Sequence, residues 1–466
     1  MPRLRSKCFG YARDQIKSPA SGLPQKVFLR DLQKMALTAY RSKILHYLSD
    51  DQDSSGFKAE YFDDGILVVD SESGTVQKVG AAEALLPELE GTEVVQYENK
   101  LLMPGFIDTH IHYPQVDVIA SYGEQLLDWL NNYTFPTELT FKDKEVARET
   151  ADFFLNELLK NGTTTALVFG TRFKESVDAF FEASHELNTR MICGKVMMDR
   201  NAPDDLCDTP QCSFDDSQAL IDAWHEKGRQ LYAVTPRFAI TSTREQLEKA
   251  GELMKNNPSV YMQTHLSENK DEIAFVAELF PERASYLDVY DHYGLLGPRS
   301  VFAHGVHLDD TDYKRLAETE SSVSFCPTSN LFLGSGLFSL EDAEKFNMPV
   351  SVATDVGGGT SFSMLQTLNE AYKICQLRNY SLAPQKAFFM ATLGNAKTLQ
   401  LEDKIGNFES GKEADFVLVD LESTPLMARK QSKCNTLDEV LFSLMMLGDD
   451  RAIDETFVAG KQVYKK

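Results

Sequence analysis

Strand-like apolar runs and segments of helical spacing alternate through the middle of the 466-residue chain. The eight runs are Leu101–Ile107, Thr163–Phe169, Met191–Met198, Leu231–Phe238, Val260–His265, Ser300–His304, Ser322–Cys326 and Pro349–Asp355. Apolar residues spaced three and four apart between the runs, such as Phe154, Leu155 and Leu158, indicate amphipathic helices. Strands that alternate with helices predict an α/β fold with a parallel sheet.

Eight strand–helix units favour a closed (β/α)8 barrel, the TIM-like fold, whose active site lies at the carboxyl ends of the strands. The competing architecture is an open, doubly wound sheet, which binds ligands at one switch point. An open sheet would not bring the ends of the first, fifth, sixth and eighth strands together. Because candidate functional residues follow those four strands, we predict the barrel.

The flanks of the chain carry short alternating runs punctuated by turn residues, such as Gly65–Asp70 and Ala414–Asp420. These runs predict antiparallel strands. Because they bracket the barrel, we expect them to form one small composite β-sandwich domain from both termini. The predicted bounds are 1–100 and 405–466 for the two parts of this domain and 101–404 for the barrel.

Two segments are expected to be long loops on the active face of the barrel. Ser121–Glu138 follows the first strand and carries Trp129, Tyr133 and Phe135. Asn201–Ser217 is acidic and polar and contains two prolines. Long loops at this face of a barrel often have a function.

Charge and cysteine content narrow the class of protein. The formal net charge of −23 disfavours nucleic acid as a partner, because phosphate binding needs a cationic surface. The seven cysteines are scattered and contain no C-x-x-C pair, which fits reduced thiols better than a disulfide framework. The basic segment Met1–Lys17 lacks an apolar signal region, and no run is long enough to span a membrane. We therefore expect a cytoplasmic protein.

The segment His110-Ile111-His112 carries the strongest chemical signal. Side chains in a strand alternate between faces, so the two imidazoles point the same way. A lone His-x-His pair more often marks an exposed strand end than a metal site. Here, however, His265, His304 and Asp355 also follow apolar strands. Five such residues at four strand ends point to a divalent metal site.

Glu268 lies three residues after His265, so both can face one pocket only if the strand ends near the histidine. In that position the carboxyl group would exchange protons with a reacting water. The alternative is that Glu268 caps the helix predicted at Asp271–Leu279. Between His304 and His307, alternation allows only one to point inward, and we choose His304 because it directly follows the apolar run.

The segment Pro104–His112 resembles the first-strand signature of the amidohydrolase superfamily, and the later histidines and aspartate occur in that superfamily's order. His265-x-x-Glu268 is similar to its deaminase branch. Within this branch the chain resembles the guanine deaminases most closely. The motifs that carry the likeness are Tyr113-Pro114-Gln115, Trp129–Glu138, Arg237-Phe238 and Asp355–Ser361.

This resemblance implies a homodimeric enzyme that uses one zinc ion per chain to hydrolyse guanine to xanthine and ammonia. The implied metal ligands are His110, His112, His265 and Asp355. Glu268 would transfer protons, His304 would stabilise charge on the attacking oxygen, and Asp355 would also orient the water. Gln115 and Arg237 would contact the polar edge of the purine, and Phe238 would pack near its ring.

Arg237 also has a chemical reason to select guanine, because a guanidinium is a donor only and guanine carries an oxo acceptor where adenine carries an amino donor. The alternative for Arg237 is a surface ion pair. Two other functions stay open: the same chemistry on another aminated heterocycle, such as a triazine, cytosine or an adenosine-derived nucleoside, and a non-enzymatic scaffold of the dihydropyrimidinase-related type.

Overall fold

The computed structural model describes residues 37–53, 56–122 and 125–466. The predictions for the basic N-terminal segment and for the first third of the N-terminal part of the composite domain fall on residues 1–36, which lie outside the described residues. Among the residues that are described, no helix has both the length and the apolar character needed to cross a membrane.

Sixteen strands are assigned within the described residues. In chain order they are β1 (Leu37–Asp53), β2 (Gly56–Asp70), β3 (Thr75–Ala81), β4 (Glu93–Pro104), β5 (Phe106–His112), β6 (Thr163–Phe169), β7 (Arg190–Gly194), β8 (Val196–Met197), β9 (Leu231–Pro236), β10 (Tyr261–Leu266), β11 (Ser300–His304), β12 (Ser322–Phe325), β13 (Val350–Val352), β14 (Phe416–Asp420), β15 (Ile453–Val458) and β16 (Lys461–Lys465).

The predicted barrel is confirmed. Eight parallel strands pair in the order β5, β6, β7, β9, β10, β11, β12 and β13, and the short β8 pairs with β9. The segment after β13 returns to the first strand, because Asp355 N donates to His110 O at 2.9 Å and His112 N donates to Val356 O at 2.7 Å. The last strand end therefore lies directly beside the His-x-His pair.

The first barrel strand was placed too early at Leu101–Ile107. Leu101–Pro104 is the end of β4, which pairs with β14 in the other sheet, whereas β5 begins at Phe106. The chain passes between the two sheets at Gly105, where a Cβ would come within 2.2 Å of Thr164 Oγ1. Both strands are buried here, so hydrophobicity alone does not separate them.

Helices surround the barrel and bury their predicted apolar faces; on Lys144–Lys160, for example, Phe154, Leu155 and Leu158 are buried. The longer helices are Lys144–Lys160, Lys174–Leu187, Pro210–Trp224, Arg244–Asn256, Lys270–Leu279, Tyr286–His292, Asp310–Glu318, Pro327–Phe332, Leu340–Lys345, Met364–Leu377, Pro384–Phe389, Pro425–Gln431 and Leu437–Leu447.

Much of both predicted loops is helical. Residues 126–142 form a chain of short helical segments (Leu126–Trp129, Leu130–Thr134, Phe135–Glu138 and Leu139–Lys142), which we call the helical cap. Pro136 cannot donate a backbone hydrogen bond, and the helix widens to a π turn just before it. In the second segment, Pro210 begins a helix whose first turn is capped by the Thr209 side chain.

The composite domain from both termini is also confirmed. Its seven strands pair in the order β16, β15, β14, β4, β1, β2 and β3, and all neighbours are antiparallel except β1 and β4. A buried ionic network joins this sheet region to the barrel: Arg229 binds Glu413 and Asp415, and Arg190 also binds Glu413. The exact domain bounds stay a prediction.

Candidate active site

Three of the strand ends that carry candidate residues contain a left-handed backbone conformation. The φ angles are +48° at Ser267, +76° at His304 and +52° at Asp355. Residues other than glycine rarely adopt this conformation, and it clusters at functional sites. The sharp turn at Ser267 ends β10 in the way that the sequence argument required and directs Glu268 into the same cavity as His265.

Three imidazoles and one carboxylate converge at the mouth of the barrel. His112 Nε2 lies 3.3 Å from both His110 Nε2 and His265 Nε2. Asp355 Oδ1 lies 3.1 Å from His110 Nε2 and 3.3 Å from His112 Nε2. The Phe169 ring packs against all three imidazoles, with ring centroids 4.6 to 5.1 Å apart. The structure thus brings together the four residues that the sequence singled out as metal ligands.

The donor set fits a tetrahedral zinc ion. Ligands about 2.0–2.1 Å from one tetrahedral zinc lie about 3.3 Å apart, which matches the measured separations. His265 Nδ1 donates to Arg237 O at 2.7 Å, so its Nε2 presents a lone pair to the cluster. Burial lowers the pKa of His112 to about 3, so this imidazole is also neutral. Three ring nitrogens this close together in a buried space suit a shared cation.

Asp355 supplies the negative charge of the cluster. Burial opposes its ionisation, but His110 and its neighbours outweigh that effect and hold the pKa of Asp355 well below its usual range. An ionised carboxylate with three imidazoles is a common ligand combination for a divalent ion.

Glu268 has different partners from the four candidate ligands. Its Oε1 accepts a hydrogen bond from Ser335 Oγ at 2.9 Å, and its Oε2 lies 3.4 Å from His304 Nε2. Burial, with a contribution from Asp355, raises the pKa of Glu268 to about 8. The helix-capping alternative is wrong, because Asn269 caps the following helix and Glu272 completes the capping box.

His304 is the inward histidine of its pair. Its Nδ1 is 2.9 Å from Asn330 Oδ1, and its Nε2 faces the carboxylates of Glu268 and Asp355. Asn330 Oδ1 can only accept, so the His304 Nδ1 carries a ring hydrogen. His307 instead binds the backbone oxygen of Ser335 at 2.8 Å and does not line the cavity.

Arg237 lies in the cavity wall rather than on the surface, so the surface ion-pair alternative is wrong. Its Nη1 donates to both carboxylate oxygens of Glu138, at 2.8 and 2.9 Å, and both side chains are at most 2% exposed. Gln115 Nε2 lies 3.2 Å from Glu138 Oε1 and 3.1 Å from His112 Nδ1. Glu138 thus connects the two residues expected to contact a substrate.

The candidate residues line one cavity at the mouth of the barrel. Its polar wall contains three of the four candidate ligands, His112, His265 and Asp355, together with Glu268 and His304. Its apolar wall is formed by Phe238 together with Leu126, Trp129, Leu130 and Leu333. Three of these apolar residues belong to the helical cap, which covers the barrel mouth on one side.

The chain is similar to known proteins over most of its length. Residues 101–463 match the model of the amidohydrolase family. The chain belongs to this family. It is 53% identical over 407 residues to the guanine deaminase of Escherichia coli, covering 87% of this chain and 92% of that relative. It is 36% identical over 414 residues to the guanine deaminase of Rattus norvegicus, covering 86% of this chain and 90% of that relative.

Solved guanine deaminases share the architecture. The E. coli structure matches with a TM-score of 0.89 and 50% identity over 92% of this chain and 100% of that one. A guanine deaminase from C. acetobutylicum, solved with bound guanine, matches with a TM-score of 0.83 and 28% identity, again covering 92% and 100%. Amidohydrolases are metal-dependent, and the buried group of His110, His112 and His265 is a possible metal site.

Sequence reasoning did not assign roles to several residues that support this amidohydrolase site. Glu138 and Trp129 lie in the segment that was expected to be a loop, and Asn330 and Ser335 follow the seventh barrel strand. Trp129 and Glu138 mark the two ends of one motif quoted for the family resemblance, which was the signal available for them. Asn330 and Ser335 act on other side chains, and such contacts leave no periodic pattern.

Cys326 is a further buried residue near the cluster. Its thiol lies with His110, His304 and Asp355 in one group of potential ligand atoms. However, Sγ contacts the backbone oxygen of Ser324 at 3.3 Å, and burial raises the thiol pKa well above its usual value. A thiol that stays protonated is a packing group rather than a ligand.

Proposed function

We propose that the protein hydrolyses guanine, with water, to xanthine and ammonia. The observation that carries this proposal is the 53% identity to a guanine deaminase over most of both chains. The buried cavity adds the groups that such a reaction needs, namely a set of metal ligands, a buried acid and donors for an oxo group. The same identity favours guanine over other aminated heterocycles and favours an enzyme over a scaffold.

One zinc ion per chain would be held by His110, His112, His265 and Asp355. A zinc ion in such a site makes water acidic enough to act as a nucleophile near neutral pH. The donor separations described above and the neutral imidazole of His112 support this assignment. Asp355 would accept a hydrogen bond from the attacking water and so orient it.

Glu268 would act as the proton shuttle. In guanine the N1 position carries hydrogen, so N3 is the ring nitrogen beside C2 that can accept a proton. Protonation there makes the carbon that bears the amino group electrophilic. Because burial raises the pKa of Glu268 to about 8, the acid is protonated near neutral pH. The Glu268 carboxylate left by this step would take up the proton that the attacking water loses and pass it to the departing ammonia.

His304 would stabilise the negative charge that develops on the attacking oxygen. Its ring is held by Asn330 on one side and faces the reacting groups on the other. A preorganised polar group in a buried site stabilises developing charge without reorganisation during the reaction.

Arg237, Gln115 and Phe238 would select the purine. The contacts with Glu138 use Nη1, and the guanidinium carries further N–H donors on Nη2 and Nε. These donors suit the oxo group of guanine and oppose the amino group of adenine. Phe238 offers an apolar surface for the purine ring. Gln115 contributes an amide group beside Glu138, the partner of Arg237.

The test is a substrate panel of guanine, adenine, cytosine and melamine, with each product identified by mass and ammonia measured separately. We expect xanthine and ammonia in equal amounts from guanine and the highest kcat/KM for guanine. A higher kcat/KM for any other base would overturn the proposed substrate. A homodimer and a cytoplasmic location stay predictions; light scattering should give twice the mass of one chain.

A further inference from the structure

Trp129 presents a buried polar atom that the described residues leave without a partner. Its side chain is 2% exposed and lines the cavity from the helical cap. Its Nε1 has no hydrogen-bond partner among the described residues. Of the residues that line the cavity, Trp129 is the only described one whose side chain has such an atom.

An indole N–H can only donate, and leaving it unpaired in a buried place costs free energy. Native structures pair the large majority of such groups, and each exception needs an explanation. Because Trp129 lines the cavity, an acceptor on the cavity's occupant is a candidate for the missing partner.

The chemistry of guanine identifies that acceptor, on the basis of the proposed function. N3 is the site that Glu268 would protonate, and O6 is the oxo group assigned to Arg237. N1 carries hydrogen and is a donor. In the tautomer that carries hydrogen at N9, the ring nitrogen that remains as an acceptor is N7, which lies beside O6 on the same edge of the base.

We propose that Trp129 is a specificity-determining residue whose indole N–H donates to N7 of the purine. Arg237 at the end of a barrel strand then donates to O6, and Trp129 in the helical cap donates to the adjacent acceptor N7. A base with a C–H group at position 7 leaves the indole unpaired and is discriminated against.

The test compares guanine with 7-deazaguanine, in which a C–H group replaces N7, for the wild type and for Trp129→Phe. Phenylalanine keeps an aromatic ring and removes the donor. For the wild type we expect kcat/KM to be about tenfold lower for 7-deazaguanine than for guanine, the scale of one lost hydrogen bond. In Trp129→Phe the guanine value should fall by a similar factor, and the two bases should become nearly equal.

The chain offers a matched control in its second tryptophan. Trp224 Nε1 donates to Asp178 Oδ1 at 2.8 Å, and Trp224 does not line the cavity. Trp224→Phe should therefore leave the ratio of the two bases as in the wild type. It also leaves Trp129 as the only tryptophan of the chain. Binding of xanthine should change the tryptophan fluorescence of Trp224→Phe but not that of Trp129→Phe. This measurement does not depend on turnover, and it does not rely on the stability of Trp129→Phe alone.

The outcomes separate the two claims. A wild type that does not convert guanine would refute the proposed function. A wild type that converts guanine, with the same guanine to 7-deazaguanine ratio in Trp129→Phe, would overturn the role of Trp129 and leave the proposed function standing. Xanthine inhibition without a fluorescence change in Trp224→Phe would also overturn it.

Discussion

At the scale of single residues, the surroundings of Glu268 adjust the pKa of its carboxyl group to the proposed role in proton transfer. Ser335 donates to one oxygen, and His304 faces the other. Burial raises the pKa of Glu268 to about 8, whereas the nearby Asp355 is held ionised by its histidine neighbours. Two carboxyl groups in one cavity with opposite protonation states are the expected arrangement for acid–base chemistry.

Replacing Glu268 by glutamine separates proton transfer from metal binding. The amide keeps the size of the side chain and can still accept from Ser335, but it cannot deliver a proton. We expect kcat to fall at least ~100-fold, the usual scale for a positioned proton shuttle. Zinc content, measured by elemental analysis, should not change because Glu268 is outside the proposed ligand set.

The control is Glu182→Gln on an outer helix, where the carboxylate is paired with Lys144 at the surface. This variant should keep the wild-type kcat. Loss of zinc together with activity in Glu268→Gln would mean that Glu268 is itself a ligand.

Arg237→Ala tests the selection of guanine. A charge-assisted hydrogen bond to the oxo group contributes about 1.5–3 kcal/mol, so kcat/KM for guanine should fall by roughly one to two decades. The preference for guanine over adenine should narrow. The measurement is kcat/KM for guanine, adenine and melamine.

Arg237→Ala also leaves the buried Glu138 without its cation, so the double variant with Glu138→Gln is needed. In that variant the unpaired charge is absent, and the change in selectivity should persist. Unchanged guanine kinetics in both variants would contradict the role of Arg237.

At the scale of elements, the strand ends that carry the candidate residues were predictable from the sequence, but the segments that pack against them were not. Alternation along one strand placed His110 and His112 on one face, and the offset between His265 and Glu268 required a strand end, found at Ser267. The helical cap was not predicted, because it contains a π turn and a proline rather than one 3.6-residue period.

Tyr290, on the helix Tyr286–His292, connects two strand ends of the candidate active site. Its hydroxyl donates to His265 O at 2.9 Å and accepts from Ala239 N at 2.9 Å. Tyr290→Phe leaves these two buried backbone groups unpaired, so we expect the free energy of unfolding to fall by about 1–3 kcal/mol. Urea unfolding measures this change.

The matched variant is Tyr61→Phe, whose hydroxyl donates to Asp63 near the surface. It should change the free energy of unfolding by less than about 0.5 kcal/mol. An equal effect of both substitutions would show that the Tyr290 hydroxyl does not hold the strand ends.

At the scale of the whole molecule, the fold class and the composite domain followed from the rhythm of apolar runs. Eight units predicted the barrel, and alternating flanks predicted a sheet from both termini. The passage from β4 to β5 was misplaced because both sides of Gly105 are apolar. The ionic network between the two parts was also beyond sequence reasoning, since its members lie far apart along the chain.

Arg229 is the centre of that network and is buried between Glu413 and Asp415. Arg229→Met leaves at least one buried carboxylate unpaired, which typically costs about 3–5 kcal/mol of stability. Urea unfolding should show a loss of this size. Arg451→Met removes an exposed pair with Asp449 and should cost less than about 1 kcal/mol. Equal losses of stability in Arg229→Met and Arg451→Met would contradict the contribution assigned to the ionic network.

The most direct test of zinc-dependent guanine hydrolysis is a titration. Metal-free protein is supplied with increasing zinc while xanthine formation from guanine is followed. We predict no turnover at the start, a linear rise and a plateau at one zinc per chain, because His110, His112, His265 and Asp355 form one site. His110→Ala should need more zinc or fail to respond. Full guanine turnover without metal, or a plateau at two zinc ions per chain, would contradict the account.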